Sequence, residues 1–298
     1  MKKKTLIAST ITVSALTASY QLINHFTKKL LYREKLDKDS QNDWYQELNG
    51  KKISIENENK LMIQGYLFEE ENAQRTIIGL HALDQSSCSL KETVSYLKEM
   101  IPQSNVLLYD AHAHGLSDGY VRKFGYEDVE DLVNVQSYVL ETWGDQHQII
   151  YYGQGMGANT VLNASGRGLL KNTALILSEG AYTDVYQYLG KRIIKELNIP
   201  YFMTAPIIRI IINVEVKKDI KEMDTIQWIK KNEIPTVYIH SKEDRDAPFE
   251  MVFPLYNKNA SEKFLFPLKH GGLIDHHDFT DSYLSSLKEF VEKYFNEK

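Results

Sequence analysis

The sequence has only one cysteine, Cys88, among its 298 residues. A single cysteine excludes an intramolecular disulfide and any cysteine-based metal cluster. Blocks of one charge are also missing, because the net charge is −5 and both signs are spread along the chain. The absence of a basic block argues against nucleic acid as a partner. No internal repeat is present, and the length suits one α/β domain with a small insertion.

The N-terminal segment contains a long stretch that is nearly free of charge. Residues 6–26 carry no charged side chain apart from partial protonation of His25, and lysines lie on both sides of the stretch. A helix of this length can cross a bilayer. The pattern predicts a membrane anchor or signal segment over residues 1–30, a stalk or linker over 31–50, and an extracytoplasmic domain on a single-pass anchor. Cleavage followed by secretion, and an amphipathic helix docked on the domain, are the alternatives.

From residue 51 to residue 298, apolar strands alternate with amphipathic helices. This alternation predicts an α/β fold with a mainly parallel sheet and helices on both faces. Between about residues 182 and 232 the alternation stops, and we expect a small helical cap broken at Pro200 and Pro206. Strands are predicted at 53–55, 61–68, 76–80, 105–109, 148–152, 174–177, 236–240 and 263–268, and helices at 89–100, 126–142, 158–164 and 282–294.

The organising stretch is residues 148–160, which read as a buried strand, a glycine-rich turn and a helix. This arrangement is the setting of the nucleophile elbow, whose pattern is Gly-x-Ser-x-Gly. Gly153 and Gly157 supply the flanking glycines, but the central position holds Gly155 instead of serine.

On these residues the chain resembles α/β-hydrolase-fold proteins of the serine aminopeptidase and monoglyceride-lipase-like branch, from about residue 51 onward. The resemblance implies an α/β-hydrolase fold and hydrolysis of esters, lipids or peptides through a Ser-His-Asp triad. It places the acid at Asp244, in the turn after the seventh strand, and the base at His270, after the last strand. His276 and His277 are the alternatives to His270.

The resemblance also implies an oxyanion hole made by the backbone N–H groups of Leu83 and Met156. Leu83 follows the third strand in His81-Ala82-Leu83, where Ala82 replaces the family's usual glycine. No cofactor is expected. The histidines at 112, 114, 276 and 277 do not match a compact ligand motif, so no metal site is predicted.

Gly155 decides which function we expect. Loss of the nucleophile in a serine hydrolase costs on the order of 10⁶ in turnover. The first hypothesis is therefore a catalytically impaired hydrolase homologue that retains a pocket for a small-molecule ester, lipid or peptide. An active hydrolase is the second, using an activated water or a substitute nucleophile among Cys88, Ser86, Ser87 and Ser178. The third is a non-catalytic interaction module, so enzyme status stays open at this point.

Overall fold

The computed structural model describes residues 2–33, 43–268 and 281–296. In this part of the chain, eight strands form one sheet in the order β1-β2-β4-β3-β5-β6-β7-β8. The strands are β1 Lys51–Glu56, β2 Met62–Phe68, β3 Arg75–Leu80, β4 Ser104–Tyr109, β5 Gln148–Gln154, β6 Thr173–Glu179, β7 Thr236–Ser241 and β8 Lys263–Leu268.

The sheet is antiparallel at one edge and parallel elsewhere. Strand β2 pairs antiparallel with β1 and with β4, whereas every pair from β4 to β8 is parallel. The carboxyl ends of β3 to β8 therefore meet at one edge, which is where ligands bind in such sheets. The predicted fold class, a mainly parallel sheet in an α/β arrangement, is confirmed.

Helices cover both faces of the sheet. One face packs against α3, α4, α7 and α8, and the other packs against α2 and α9. A third apolar cluster joins α1 to α5 and α6. The helices of the described residues are α1 Lys2–Leu31, α2 Lys91–Met100, α3 Val129–Trp143, α4 Met156–Gly166, α5 Val185–Leu197, α6 Tyr201–Val216, α7 Ile226–Ile229, α8 Val252–Lys258 and α9 Asp281–Asn296.

Helices α5, α6 and α7 fill the interval between β6 and β7, and only one of the two predicted proline breaks is present, the one at Pro200 between α5 and α6. Pro200 precedes α6 as its N-cap residue, whereas Pro206 lies inside α6. A proline inside a helix frees the carbonyl four residues earlier. Here that carbonyl belongs to Phe202, whose residue is 77% exposed, so water can satisfy it. The break predicted at Pro206 is therefore wrong.

The N-terminal helix gives the main correction to the sequence analysis. Within residues 2–33, 43–268 and 281–296, no helix combines the length and the apolar character that a membrane crossing requires. The predicted transmembrane signal anchor is therefore wrong. From Ile23 onward α1 instead packs on α5 and α6, with Ile23, Leu30 and Leu31 buried. Cleavage and export of the chain stay predictions.

Candidate functional site

The turn between β5 and α4 holds Gly155 in a backbone conformation that residues with side chains rarely adopt. Its φ and ψ are 50° and −108°, and glycine relieves strain on the order of 1–3 kcal/mol in such a region. Its amide donates to the Glu179 carbonyl over 2.8 Å, and its carbonyl accepts from the Asn159 amide over 3.0 Å. The turn is thus joined to β6 on one side and to α4 on the other.

The two flanking glycines are required by close backbone approach. A Cβ on Gly153 would lie 2.6 Å from the Gly157 carbonyl oxygen, and a Cβ on Gly157 would lie 2.4 Å from the Leu80 carbonyl oxygen. Both distances are far inside van der Waals contact, and backbone atoms cannot turn aside. At Gly155 the nearest atom to an added Cβ would be the Ala82 Cβ, at 3.3 Å. Position 155 therefore accepts a small side chain only if Ala82 gives way slightly.

The loop after β3 brings Ala82 and Leu83 to the same edge of the sheet. The Ala111 amide donates to His81 Nε2 over 3.0 Å, and His81 Nδ1 donates to the Ala82 carbonyl over 2.8 Å. Because Nε2 accepts a hydrogen bond, the ring is neutral, and burial accordingly lowers the pKa of His81. The Gly157 amide donates to the His81 carbonyl over 3.1 Å, which ties the loop to α4.

Two backbone amides at this edge, those of Leu83 and Met156, donate to no backbone acceptor in the described ranges. Met156 is the first residue of α4, and the first amides of a helix have no acceptor within the helix. Amides at a helix start favour negative charge. The pair therefore has the chemistry of an oxyanion hole, and that role stays a prediction.

The carboxylate of Asp244 is held in the turn after β7. Its Oδ1 accepts hydrogen bonds from the amides of Asp246 and Ala247, each over 2.9 Å. Its Oδ2 lies 3.9 Å from His240 Nε2. Burial raises the pKa of Asp244, although both the Ala247 amide and His240 act to lower it. The side chain is 6% exposed, so the carboxylate is oriented before any ligand binds.

The predicted base, His270, lies in residues 269–280, outside the described residues, as do its alternatives His276 and His277. The strand that precedes it is described. Strand β8 pairs in parallel with β7, so that Leu268 is the partner of Ser241. The strand before His270 therefore ends beside the turn that carries Asp244, and the assignment of the base stays a prediction.

A cavity of about 620 Å³ lies at this edge, and Gly155, Leu83 and Asp244 all line it. Met156 is fully buried and is not part of the wall. Strand ends supply most of the lining: residues 82–85 follow β3, Gly180 follows β6, and residues 243–247 follow β7. The sequence-predicted residues inside the described ranges thus meet at one cavity or directly beside it.

Comparison with known proteins identifies the fold. No protein-family model matches the chain. The uncharacterized protein YqkD of Bacillus subtilis (strain 168) is 24% identical over 232 residues, which cover 77% of this chain and 75% of that protein. The Pyrococcus furiosus esterase Pf2001 superposes with a TM-score of 0.66 at 16% identity, over 90% of this chain and 98% of that one. The α/β-hydrolase GrgF from Penicillium sp. sh18 gives a TM-score of 0.64 at 16% identity, over 82% and 98%. The chain has the α/β-hydrolase fold.

Helix α5 forms the cap side of the cavity in this α/β-hydrolase fold. Tyr188, Arg192 and Lys195 share one helix face and line the cavity. Arg192 Nη2 pairs with Asp84 Oδ2 over 2.9 Å, and Lys195 Nζ pairs with Asp246 Oδ1 over 2.7 Å. One ion pair therefore joins α5 to the loop after β3, and the other joins it to the turn after β7.

Sequence reasoning missed this charged wall. The available signal was the spacing of Tyr188, Arg192 and Lys195, which places two cations on one face of a helix. Asp184 is the N-cap residue of that helix, and its Oδ1 accepts a hydrogen bond from the Gln187 amide over 2.7 Å. An aspartate at this position is a sequence signal for a helix start. The spacing could have shown that the cations share a face, but not which acids they meet.

A second feature that the sequence did not reveal is a buried carboxylate behind the turn. Glu179 ends β6 and is 1% exposed. Its Oε2 accepts a hydrogen bond from Tyr152 Oη over 2.5 Å and a longer one from Gln154 Nε2 over 3.3 Å. Glu179 thus braces the end of β5, directly before Gly155.

The candidate substitute nucleophiles lie elsewhere. Ser87 Oγ donates to Asp110 Oδ1 over 2.6 Å, Cys88 is exposed, and Ser178 is buried at 1% exposure. None of these residues, nor Ser86, is among the residues that line the cavity in the described part of the chain. Tyr188 does line it, but burial raises its pKa to about 12, so its phenol stays protonated near neutral pH.

Proposed function

We propose that this protein is a hydrolase homologue that binds a small polar ester or peptide in its main cavity but cannot form an acyl-enzyme. The observation that carries the proposal is the position of Gly155. It occupies a left-handed turn between β5 and α4, in the wall of the cavity that Leu83 and Asp244 also line. In the serine aminopeptidase and monoglyceride-lipase-like branch that the sequence resembles, this position is the nucleophilic serine. Without a hydroxyl group, no covalent intermediate can form there.

The chemistry of the wall favours a polar ligand over a long-chain lipid. Seven of the fourteen lining residues carry charged side chains. A long alkyl chain gains nothing beside ionised groups, which lose hydration when it covers them. The apolar side chains of α6 do not change this, because no described residue of that helix lines the cavity. The charged lining residues are Asp84, Arg192, Lys195, Glu243, Asp244, Arg245 and Asp246.

The site residues have distinct roles in this proposal. The amides of Leu83 and Met156 would donate hydrogen bonds to the carbonyl oxygen of the ligand and stabilise negative charge on it. Asp244 would orient His270 and stabilise its protonated form. With Gly155 in place, His270 has no hydroxyl to deprotonate. The alternative function is direct attack by a water that His270 activates, which predicts slow but measurable hydrolysis without a covalent step.

The test is to restore the hydroxyl group and measure hydrolysis of p-nitrophenyl acetate by the full chain. Gly155→Ala is the matched control, because it adds the Cβ beside Ala82 without a hydroxyl group. The native protein and Gly155→Ala should be inert. Gly155→Ser should exceed Gly155→Ala by at least about a hundredfold, since a nucleophile is worth on the order of 10⁶ in a complete site.

Ala82 gives this experiment a second arm. Because a Cβ at position 155 would lie 3.3 Å from the Ala82 Cβ, the restored serine is crowded. Ala82→Gly combined with Gly155→Ser should therefore be more active than Gly155→Ser alone. If the native protein hydrolyses the ester and His270→Ala abolishes that activity, the water mechanism replaces our proposal. If no variant gains activity and no ester or peptide binds, the interaction module is favoured instead.

A further inference from the structure

A second cavity of about 290 Å³ lies between the N-terminal helix α1 and helix α5. Its two apolar residues, Phe26 and Leu30, belong to α1. The other lining residues all carry charge, and three of them are cations whereas two are anions. The cations are Lys29, Arg122 and Arg192, and the anions are Asp84 and Glu196. The lining therefore has an excess of positive charge.

The main cavity has the opposite balance of charge. Its lining contains three cationic side chains but four acidic ones. Two residues, Asp84 and Arg192, line both cavities, so their ion pair lies between the two. The balance of charge favours an anion in the second cavity over the main one.

The positive charge is centred on one carboxylate that two arginines share. Asp84 Oδ1 pairs with Arg122 Nη1, and Asp84 Oδ2 pairs with Arg192 Nη2 over 2.9 Å. The side chains of Arg122 and Arg192 are only 7% and 17% exposed. Buried charges are normally paired, and arginine cannot lose its proton in a protein. Lys29 and Glu196 are exposed and opposite in sign, so they leave the excess charge of this buried group in place.

Arg122 also has donors that the protein does not use. Its hydrogen bonds to described residues all come from Nη1, which donates to Asp84 and, over 3.2 Å, to the Leu30 carbonyl. Its Nε is buried and has no acceptor among the residues that the structure describes. Nε and Nη2 form the side of a guanidinium group that can bind two oxygens of one carboxylate or phosphate group. Arg122 therefore has an unused pair of donors that suits an oxyanion.

We propose that the second cavity binds a small free oxyanion of the size of phosphate, held by Arg122 and Arg192. The anion would balance the charge that Asp84 leaves unpaired. It would also connect α5 to the loop between β4 and α3, whose Arg122 already holds α1 at the Leu30 carbonyl. The anion thus fastens the N-terminal helix to the cap. The site is separate from the place where an ester or peptide is proposed to bind, so it stands or falls independently of the proposed function.

The experiment titrates inorganic phosphate into the full-length native protein. The ionic strength is held constant with NaCl, so that general screening of charges does not change during the titration. Backbone amide signals in NMR report the two cavities separately, through Leu30 for the second cavity and Gly155 for the main one. The Leu30 signal should shift and reach saturation, whereas the Gly155 signal should stay in place.

Three variants test the residues of the site. Arg122→Gln and Arg192→Gln should each weaken phosphate binding by at least about tenfold, because each removes a hydrogen bond to a charged group. Asp84→Asn should tighten it by about tenfold, because it removes the acid that competes for both arginines. A variant that merely loosens the fold would weaken binding. Asp84→Asn therefore keeps the test informative even where Arg122→Gln does not fold.

Lys195→Gln and Lys191→Gln are the matched controls. Both remove a lysine of α5, but Lys195 lines only the main cavity and Lys191 lines neither of the two. Neither substitution should change the affinity that the Leu30 signal reports.

Three results would overturn the proposal. If phosphate leaves the Leu30 signal unchanged in both the native protein and Asp84→Asn, the second cavity does not bind an oxyanion. If phosphate shifts Gly155 and Lys195→Gln abolishes that shift, the anion binds in the main cavity instead. If Lys191→Gln weakens binding as much as Arg192→Gln does, phosphate is attracted by surface charge alone and no specific site exists.

Discussion

The turn around Gly155 and the cap helix α5 line the same cavity, but different forces hold them. At the turn, backbone atoms approach so closely that Gly153 and Gly157 cannot carry side chains. At the cap, two ion pairs between partly exposed side chains join α5 to the strand ends. Steric contacts between backbone atoms are insensitive to salt, whereas exposed ion pairs are screened by it. The comparison predicts that the turn at residues 153–157 is a fixed floor of the cavity and that helix α5 is an adjustable wall.

The largest effect should come from Gly157→Ala, which tests the fixed floor. The added Cβ would lie 2.4 Å from the Leu80 carbonyl oxygen, so α4 must move away from β3. Overpacking of this kind costs about 1–3 kcal/mol and occasionally more, and contact with rigid backbone favours the upper end. Urea denaturation of the full chain measures the change in the free energy of unfolding.

Gly168→Ala is the control for that experiment. Gly168 has a φ of +70°, but nothing lies within 4 Å of an added Cβ. Its loss of stability should reflect backbone strain alone, roughly 1–2 kcal/mol. A loss in Gly157→Ala no larger than that in Gly168→Ala would show that α4 accommodates the added Cβ, and would contradict the prediction that close approach makes Gly157 necessary.

The next effect should be a pH dependence of the free energy of unfolding that comes from Asp128. This residue is 1% exposed, and its Oδ2 accepts a hydrogen bond from the Gly125 amide over 2.6 Å. A Cβ on Gly125 would lie 2.5 Å from the Met156 carbonyl oxygen, so Asp128 supports a loop packed on α4. Burial, together with the nearby Asp131, raises the pKa of Asp128 to about 7, although the Gly125 amide and Lys123 act to lower it.

Because the folded state holds this proton more tightly than the unfolded chain does, stability from Asp128 is complete below pH 4 and is lost as pH rises through about 7. Between pH 5 and pH 8 the loss should be about 2–3 kcal/mol. Buried histidines such as His81 and His114, whose pKa is lowered, act in the opposite sense. The measured quantity is therefore the difference between native protein and Asp128→Asn at each pH. The exposed Asp145→Asn is the control, and a difference that does not change with pH would contradict the prediction.

The fixed floor is also the part that the sequence predicted best. The strand before Gly155 and the glycines at 153 and 157 are local signals, since each reports a conformation or a contact within a few residues. The parallel sheet follows from alternating strands and helices for the same reason. Asp244 could be placed because its turn directly follows a recognisable strand.

The N-terminal helix and α6 show where local signals mislead. Hydropathy over residues 6–26 predicted a membrane anchor, but no helix of the described residues has the length and apolar character to cross a membrane, and Ile23 is buried against the cap. An apolar run indicates that a segment is withdrawn from water, but it does not show whether lipid or protein covers the segment. Pro206 predicted a helix break, yet its helix continues, and the residue whose carbonyl it frees, Phe202, is 77% exposed.

The adjustable wall could not be predicted, for a different reason. Arg192 meets Asp84, and Lys195 meets Asp246, across intervals that contain several strands and helices. A charged side chain on a helix face is usually exposed to solvent, so its presence in the sequence does not predict an ion pair. Only the fold decides which acid each cation meets, and hence that the cavity has a charged cap side.

The smallest effect should come from the Lys195–Asp246 pair, which tests the adjustable wall. Its side chains are 45% and 40% exposed, and exposed pairs of this kind are worth less than about 1 kcal/mol. Lys195→Met should therefore change the free energy of unfolding by less than that amount at low salt, and the difference from native protein should shrink in 0.5 M NaCl. Lys191→Met on the same helix, where residue 191 is exposed, controls for loss of a lysine. A salt-independent loss as large as that of Gly157→Ala would contradict the prediction, because it would mean that the cap is held as rigidly as the turn.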